Sequence, residues 1–176
     1  MCSSDLVPTW VALDGLDVDP EAVRSDKKVI YEQMIQDELE LKPGAAALIE
    51  EAADRYRLCV ASGSRIESIT GCLEKFNLAK HFDAFYSGTD LERSKPYPDV
   101  YLHALDSMSL EPGRAVAIED SAVGLRAARG ASLQCVVCPD SSHAGPRQEF
   151  DGAACIVDSL NQVDCELLER IAAEGD

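Results

Sequence analysis

The stretch that decides the fold is Ala115-Val116-Ala117-Ile118-Glu119-Asp120-Ser121-Ala122-Val123-Gly124. An apolar run ends in two adjacent carboxylates, and a hydroxyl residue, a glycine and a helical pattern follow. The run predicts a buried strand, and the carboxyl end of a parallel strand is where open α/β sheets bind ligands. Hard carboxylate oxygens at that position suit Mg²⁺. The alternative is a strand end that only caps the next helix, with Asp120 or Ser121 as the N-cap.

Strands and helices alternate along the rest of the chain, which predicts an α/β fold whose parallel sheet is covered by helices on both faces. We expect strands at 58–61, 82–87, 115–118, 134–137 and 154–157, and helices at 26–39, 45–56, 66–76, 95–108, 124–129 and 162–173. The first of these helices carries an apolar stripe of Val29, Ile30, Met34 and Ile35. Neither GxGxxG nor GxxxxGK[ST] occurs, which argues against a dehydrogenase-type dinucleotide fold and against a P-loop.

Length, composition and charge place the chain among single-domain globular proteins. It has 176 residues, of which 46% are hydrophobic, and this is enough for a packed core. The net charge of −16 argues against nucleic acid and anionic membranes as partners. No apolar run approaches the roughly 18 residues of a membrane-spanning helix. We therefore expect no nucleic-acid or membrane partner, and we favour a monomer.

The seven cysteines stand at irregular positions, and several lie in apolar runs. This pattern is typical of reduced core cysteines and favours a cytoplasmic protein. Cys135 and Cys138 form a CxxC, but the surrounding residues predict a strand, in which positions three apart point to opposite faces. No second pair completes a zinc site, so we predict neither metal nor redox function for this pair.

Two further segments place polar groups just beyond predicted elements. Ser62-Gly63-Ser64 follows a short apolar strand and precedes a helix, so its hydroxyl and the amides of the helix start offer an anion site. The alternative is a plain helix cap by Ser64. Lys95-Pro96-Tyr97-Pro98-Asp99 opens another helix, and the proline holds Lys95 extended, so that its ammonium can be aimed at a phosphoryl oxygen. The alternative is an exposed lysine beside a rigid helix start.

The order of hydroxyl, lysine and paired acids is more specific than any one of these segments. On this order the chain resembles the haloacid dehalogenase superfamily of aspartate-nucleophile phosphatases and phosphomutases. Ser62 matches the second motif of that family, Lys95 in Lys-Pro-x-Pro-Asp-x-Tyr matches the third, and Glu119-Asp120-Ser121-x-x-Gly124 matches the fourth. Ser132 departs from the pattern, since the family has glycine there, and we expect only a local change of turn.

Within the superfamily the chain looks most like subfamily IA, in the β-phosphoglucomutase branch with a helical cap. Two segments resemble those of the CbbY-like phosphatases of sugar bisphosphates. They are Lys28-x-x-Tyr31 on the helix leading to Lys42-Pro43-Gly44, and residues 149–153 before 156–160. The resemblance covers residues 26–160 and implies a Rossmann-like core with a parallel sheet. We interpret residues 7–41 as the remnant of a helical cap and 42–176 as the core. Residues 1–6 resemble translated sequencing-adapter DNA and are left out of fold reasoning.

The resemblance implies a Mg²⁺-dependent phosphatase that acts on a small phosphorylated metabolite, in particular a sugar phosphate. In such an enzyme Ser62 and Lys95 are catalytic and, with Gly63, hold the phosphoryl oxygens. Glu119 and Asp120 bind Mg²⁺, directly or through water. Asp99 is expected to hold the lysine loop by bonding to the backbone.

The family's first motif, Asp-x-Asp-Gly-Thr at the end of the first strand, does not occur in this sequence. Its first aspartate attacks phosphorus and becomes an aspartyl-phosphate. The nearest string, Ala12-Leu13-Asp14-Gly15-Leu16, has alanine at the nucleophile position and lies too close to Ser62 for a whole cap to fit between them. We therefore expect an N-terminally truncated fragment, and a stromal location in an organelle if the lost segment carried a transit peptide.

The loss of a central first strand predicts that the chain, made alone, is poorly folded and inactive. About four buried apolar side chains at roughly 1.5–3 kcal/mol each amount to on the order of 6–12 kcal/mol. That is comparable with the whole stability of a domain, ~5–15 kcal/mol. Two alternatives to a phosphatase stay open: a β-phosphoglucomutase-like phosphomutase, and a non-catalytic pseudo-phosphatase that binds phosphometabolites or a partner.

Overall fold

The computed structural model describes Asp19, residues 22–23, 25–26, 29–30 and 33, and the ranges 37–140 and 147–175. The described residues from 22 to 38 are helical, as the sequence predicts for 26–39. Val29 and Ile30 are each 58% exposed, so this half of the expected apolar stripe is not buried, because no described element packs over it. Met34, Ile35, residues 1–6 and the string 12–16 lie outside the described residues.

Strands and helices alternate through the core, as predicted. The strands are β1 (Cys59–Ser62), β2 (Ala84–Ser87), β3 (Val116–Glu119), β4 (Gln134–Val137) and β5 (Cys155–Ile156). The helices are α1 (Ala45–Ala53), α2 (Ile66–Lys75), α3 (Asp99–Met108), α4 (Ala122–Gly130) and α5 (Cys165–Ala173). The last helix begins later than the predicted residue 162, because Asp164 caps it by accepting from the Leu167 amide.

The described strands form two parallel sheets, where the sequence predicts one. β1 pairs with β2, and β3, β4 and β5 pair in that order. β1 and β3 thus have a neighbour on one side only, and all residues of both strands line a cavity of about 930 Å³ between the two sheets. No described strand joins β1 to β3, so the described strands are divided between the two parallel sheets.

Helices cover both faces of the three-stranded sheet, as predicted. One hydrophobic cluster packs α3 and α4 against Cys135 and Val137 of β4. A second cluster packs α1 and α5 against Val136 and Cys138. Cys135 and Cys138 therefore lie on opposite faces, as the strand pattern predicts, and burial raises the pKa of the Cys135 thiol to about 12.

Two turns depend on a left-handed backbone. Gly44, before α1, has a φ of 90°, and a Cβ there would collide with the backbone of Asn161. Ser132, after α4, has a φ of 61°. Glycine adopts this conformation without strain, whereas a serine residue is strained there. In the part of the chain that the structure describes, no helix is both long and apolar enough to cross a membrane.

Candidate active site

Ser62 is the last residue of β1 and starts the loop to α2. Its hydroxyl accepts a hydrogen bond from the Ser64 amide at 3.1 Å. The helix begins beyond Arg65 with no side-chain cap, so the expectation that Ser64 caps α2 is wrong. The Ser64 amide instead donates to the Ser62 hydroxyl, and no side chain caps the first amides of α2. Gly63 is exposed at the tip of this turn, and a Cβ there would meet nothing within 4 Å.

The hydroxyls of Ser87 and Thr89, at the end of β2, stabilise this turn, and the sequence analysis did not predict them. The Ser87 hydroxyl donates to the Ser64 carbonyl at 2.8 Å and lies 2.7 Å from the Thr89 hydroxyl. The Gly88 amide donates to the Ser62 carbonyl at 2.7 Å. The available signal was Ser-Gly-Thr directly after a predicted strand, the same kind of polar ending that singles out Ser62. The two loops hold each other in one conformation.

Lys95 reaches from the segment before α3 to the ends of both inner strands. Its Nζ donates to the Ala61 carbonyl of β1 at 3.0 Å and to Glu119 Oε1 of β3 at 2.5 Å. The side chain is only 18% exposed, so the alternative of a freely solvated lysine is wrong. Its ammonium is held at a fixed point, as predicted, but the groups that hold it are a carbonyl and a carboxylate.

Glu119 ends β3 and is the partner of both Lys95 and Tyr101. The Tyr101 hydroxyl donates to the same carboxylate oxygen, and burial together with the Glu119 charge raises the pKa of Tyr101 far above its usual value. The Glu119 side chain is 8% exposed. A Cβ at Gly124 would collide with the Glu119 carboxylate, which explains the glycine of the fourth motif. Sequence reasoning quoted Tyr101 but gave it no role.

Asp120 is exposed beyond the end of β3 and, among the described residues, has no hydrogen-bond or ion-pair partner. The N-cap of α4 is Ser121, whose hydroxyl accepts from the Gly124 amide at 3.1 Å, so Asp120 is not used as a cap. Of the two predicted metal ligands, only Asp120 presents an open carboxylate, because Glu119 is taken by Lys95 and Tyr101.

The donor set around Asp120 fits a magnesium ion of the kind that keeps several waters. Within the described residues no group of three or more His, Cys, Asp or Glu side chains could hold a metal. Mg²⁺ does not need such a cage, since it commonly binds through one or two carboxylates and the phosphate of a substrate. Asp120 would supply one such carboxylate, since it is exposed at the end of β3.

Asp99 holds the lysine loop through a side chain and not through the backbone. Arg93 donates to the two Asp99 carboxylate oxygens at 3.1 and 2.9 Å. The guanidinium also stacks on the Tyr97 ring, 4.9 Å from its centroid. The expected backbone bond is therefore corrected to a bidentate ion pair, which Arg geometry favours. Asp99 stays a positioning residue.

The structure brings four of the five predicted site residues together at one end of the cavity, and the exposed Gly63 does not line it. Ser62, Lys95, Glu119 and Asp120 all line it at the carboxyl ends of β1 and β3. A hydroxyl, an ammonium and an open carboxylate that meet in this way can bind a phosphoryl group and a divalent cation together. The described residues include no carboxylate in position to attack a phosphorus atom held there.

Comparisons with known proteins bear on the family and the fold of this chain. A family model described as a haloacid dehalogenase-like hydrolase matches residues 8–132. The protein CbbY of Cereibacter sphaeroides is 38% identical over 134 residues, which are 74% of this chain and 57% of that protein. The fructose-1-phosphate phosphatase YqaB of Escherichia coli is 28% identical over 73% of this chain and 71% of its own length.

A solved structure extends the likeness to the fold. CbbY from Rhodobacter sphaeroides, as a variant in complex with xylulose-1,5-bisphosphate, has a TM-score of 0.77 at 33% identity, over 86% of this chain and 69% of that one. The chain spans about half the length of several curated relatives. The matched region covers 57%, 46% and 49% of the length of three of them. The match to the family model covers most of the chain. The chain belongs to the haloacid dehalogenase-like hydrolase family.

Proposed function

We propose that this chain is the phosphate-binding part of a Mg²⁺-dependent phosphatase that hydrolyses the phosphomonoester of a small sugar phosphate. The observation that carries the proposal is the meeting of Ser62, Lys95 and Asp120 at the carboxyl ends of β1 and β3 in one cavity. Family membership supports hydrolysis as the reaction class.

Each residue has a distinct role in this proposal. The Ser62 hydroxyl and the Gly63 amide donate to oxygens of the phosphoryl group. Lys95 neutralises charge that develops on those oxygens, at a point fixed by Ala61 and Glu119. Asp120 would hold Mg²⁺, which supplies positive charge against the phosphate. The attacking carboxylate belongs to a segment outside the described residues.

The substrate class rests on two relatives. CbbY from Rhodobacter sphaeroides binds xylulose-1,5-bisphosphate in the solved structure, and YqaB is named for fructose 1-phosphate. Both ligands are small sugar phosphates, and we propose the same class here. The reduced state of all six described cysteines accords with a cytoplasmic location, which we also propose.

The test is phosphate release from a panel of sugar phosphates in the presence and absence of Mg²⁺. It compares the polypeptide of the intact reading frame with the 176-residue chain. We expect the first to hydrolyse a sugar phosphate only with Mg²⁺, and the second to be inactive. Lys95→Met should reduce kcat/KM by about 10²–10³-fold, the usual cost of removing one charge-stabilising donor. Lys80→Met, which changes an exposed lysine away from the cavity, is the matched control. Binding of phosphate without hydrolysis by the intact frame would favour the pseudo-phosphatase, and sugar-phosphate isomerisation would favour the mutase.

A further inference from the structure

Tyr101 lies on the buried face of α3, and its hydroxyl reaches the polar cluster at the carboxyl end of β3. The side chain is 8% exposed and belongs to the same hydrophobic cluster as Leu105 and Leu125. A phenylalanine would fill the same apolar space, so packing alone does not require the hydroxyl. A buried hydroxyl needs a partner, and here the partner is Glu119 Oε1. The hydroxyl therefore serves the carboxylate and not the core.

The Glu119 carboxylate is held in one orientation by contacts on both of its oxygens. Oε1 accepts from the Tyr101 hydroxyl and from the Lys95 ammonium. The other oxygen, Oε2, lies against Gly124, where any Cβ would collide with it. Two donors that converge on one oxygen fix the direction of a carboxylate better than one donor does. Without the Tyr101 hydroxyl, Oε1 would keep a single bond, to a lysine side chain that can move with it.

The Lys95 ammonium contacts Tyr101 directly as well as through Glu119. Its Nζ lies 3.4 Å from the hydroxyl oxygen and 4.7 Å from the centre of the ring. An ammonium has three N–H donors, and the Ala61 carbonyl and Glu119 take two of them at 3.0 and 2.5 Å. The third donor, toward the Tyr101 oxygen, makes the longest of these bonds. It is therefore the donor that is most readily given to an incoming phosphoryl oxygen.

From these contacts we propose that Tyr101 is a positioning residue, whose hydroxyl holds the Glu119 carboxylate and thereby aims the Lys95 ammonium at the phosphoryl group. Tyr101 acts through these two side chains and does not itself contact the substrate. Its part in the reaction rests on the proposed function, whereas its hold on Lys95 exists in the resting protein and is measured without substrate. A merely structural hydroxyl would contribute to stability and leave the direction of the ammonium unchanged.

Two tyrosine-to-phenylalanine variants separate the hydroxyl from the ring. Tyr101→Phe removes the oxygen that bonds to Glu119 and keeps the apolar body of the side chain. Tyr86→Phe is the matched control, because Tyr86 packs against the same hydrophobic cluster and, in the part of the chain that the structure describes, its hydroxyl has no hydrogen-bond partner. Both variants are made in the polypeptide of the intact reading frame, and far-UV circular dichroism checks that each keeps the fold of the parent.

The first readout is the NMR signal of the Lys95 ammonium in protein labelled with ¹⁵N at its lysines. An ammonium held by protein oxygens and shielded from water exchanges its protons slowly enough to give a signal, whereas freely solvated lysines do not. Lys95→Met identifies the signal by its loss. We expect Tyr101→Phe to weaken the signal at least about fivefold and Tyr86→Phe to leave it unchanged. An undiminished signal in Tyr101→Phe, or no Lys95 signal in the parent, would overturn the inference.

The second readout is Mg²⁺-dependent hydrolysis of p-nitrophenyl phosphate, which offers a phosphomonoester without a sugar. Tyr101→Phe should lower kcat about tenfold and change KM less than about twofold, because the ammonium keeps its charge but loses the geometry that it needs in the transition state. Tyr86→Phe should change neither constant. A kcat of Tyr101→Phe within about twofold of the parent would contradict the role of the hydroxyl. If the parent releases no phosphate, the proposed function fails, and the ammonium signal still decides whether Tyr101 holds Lys95.

Discussion

The central strand β4 and the edge strands β1 and β3 are similarly apolar and reach different degrees of burial. β4 has a strand on each side and is closed to solvent, while β1 and β3 each have one neighbour among the described strands and are more open to solvent. The side chains do not explain this difference, since Ile118 of β3 is more apolar than Cys135 of β4. The number of hydrogen-bonded neighbours does, because each neighbouring strand brings its own side chains and helix contacts over the edge.

The same comparison explains where the candidate site lies. Lys95, Tyr101 and Glu119 form one buried polar cluster at the boundary between the two sheets, and nothing comparable occurs among the described residues inside the three-stranded sheet. Buried charges are costly unless they are paired. The cluster is thus tolerated where a cavity opens beside it, and it ties the two sheets together.

The largest effect on unfolding free energy is expected when a charge is placed in the buried strand β4. The same change in the more exposed strand β3 is the comparison. Val136→Asp buries a carboxylate in β4, where the side chain is 0% exposed, and should cost at least about 4 kcal/mol of unfolding free energy. Ile118→Asp in β3 should cost less than about 1 kcal/mol, because its side chain already meets solvent. Urea denaturation of both variants measures the difference. Equal costs would show that β3 is as buried in solution as β4, and the comparison would fail.

Removing the Lys95 ammonium tests the polar cluster that joins the two sheets. Lys95→Met leaves the Glu119 carboxylate, 8% exposed, with the Tyr101 hydroxyl as its remaining partner. The expected loss is about 3 kcal/mol, as for other buried pairs that lose one member.

The double variant Lys95→Met/Glu119→Gln is the control, since it removes the unpaired charge and keeps the shape. It should recover most of the loss in the same urea titration. If Lys95→Met alone costs less than about 1 kcal/mol, the ion pair is more solvated than the structure indicates.

The sequence was sufficient for the strands and helices of the described core and for the parallel direction of the strands. The roles of the site residues stay predictions. Hydrophobic periodicity placed β4 at 134–137 without error, because a run buried on both faces leaves a continuous apolar signal. The polar endings of β1 and β3 pointed to Ser62, Glu119 and Asp120, because carboxyl ends of parallel strands share one edge.

The details that the sequence missed depend on contacts between loops and between strands, which hydrophobic periodicity does not report. The division into two sheets depends on which strands are neighbours, and periodicity carries no such information. Ser64 was expected to cap α2 but bonds to Ser62 and is held by Ser87, which lies 23 residues away. Asp99 was expected to bond to the backbone. Its partner Arg93 lies outside the helix, so the three- or four-residue spacing that indicates an ion pair on a helix could not reveal it.

Measurements of stability at alkaline pH test the difference in burial between β4 and β1 through the thiols of Cys135 and Cys59. Burial raises the pKa of Cys135 in β4 from 9.0 to about 12, so between these values the unfolded chain loses a proton that the folded chain keeps. Stability from this group is complete below pH 9 and falls as the pH rises, by up to about 1.4 kcal/mol per pH unit. Cys135→Ala should therefore flatten the decline of unfolding free energy between pH 9 and pH 11. Cys59→Ala, in half-buried β1, should flatten it less, and the reverse order would contradict the assigned burial.

The smallest effect concerns the turn that leads into β4. Ser132 has a φ of 61°, a region in which an L-residue other than glycine is strained by about 1 kcal/mol. Ser132→Gly should raise the free energy of unfolding by roughly 0.5–1 kcal/mol, the strain relieved less the extra chain entropy of glycine. Ser132→Ala keeps the strain and should give no gain, so the difference between the two variants isolates the backbone from the loss of the hydroxyl. This turn leads into β4 and not into β1 or β3. The increase in unfolding free energy should therefore appear in the global urea transition, and the hydrogen exchange of the β1 amides should stay unchanged.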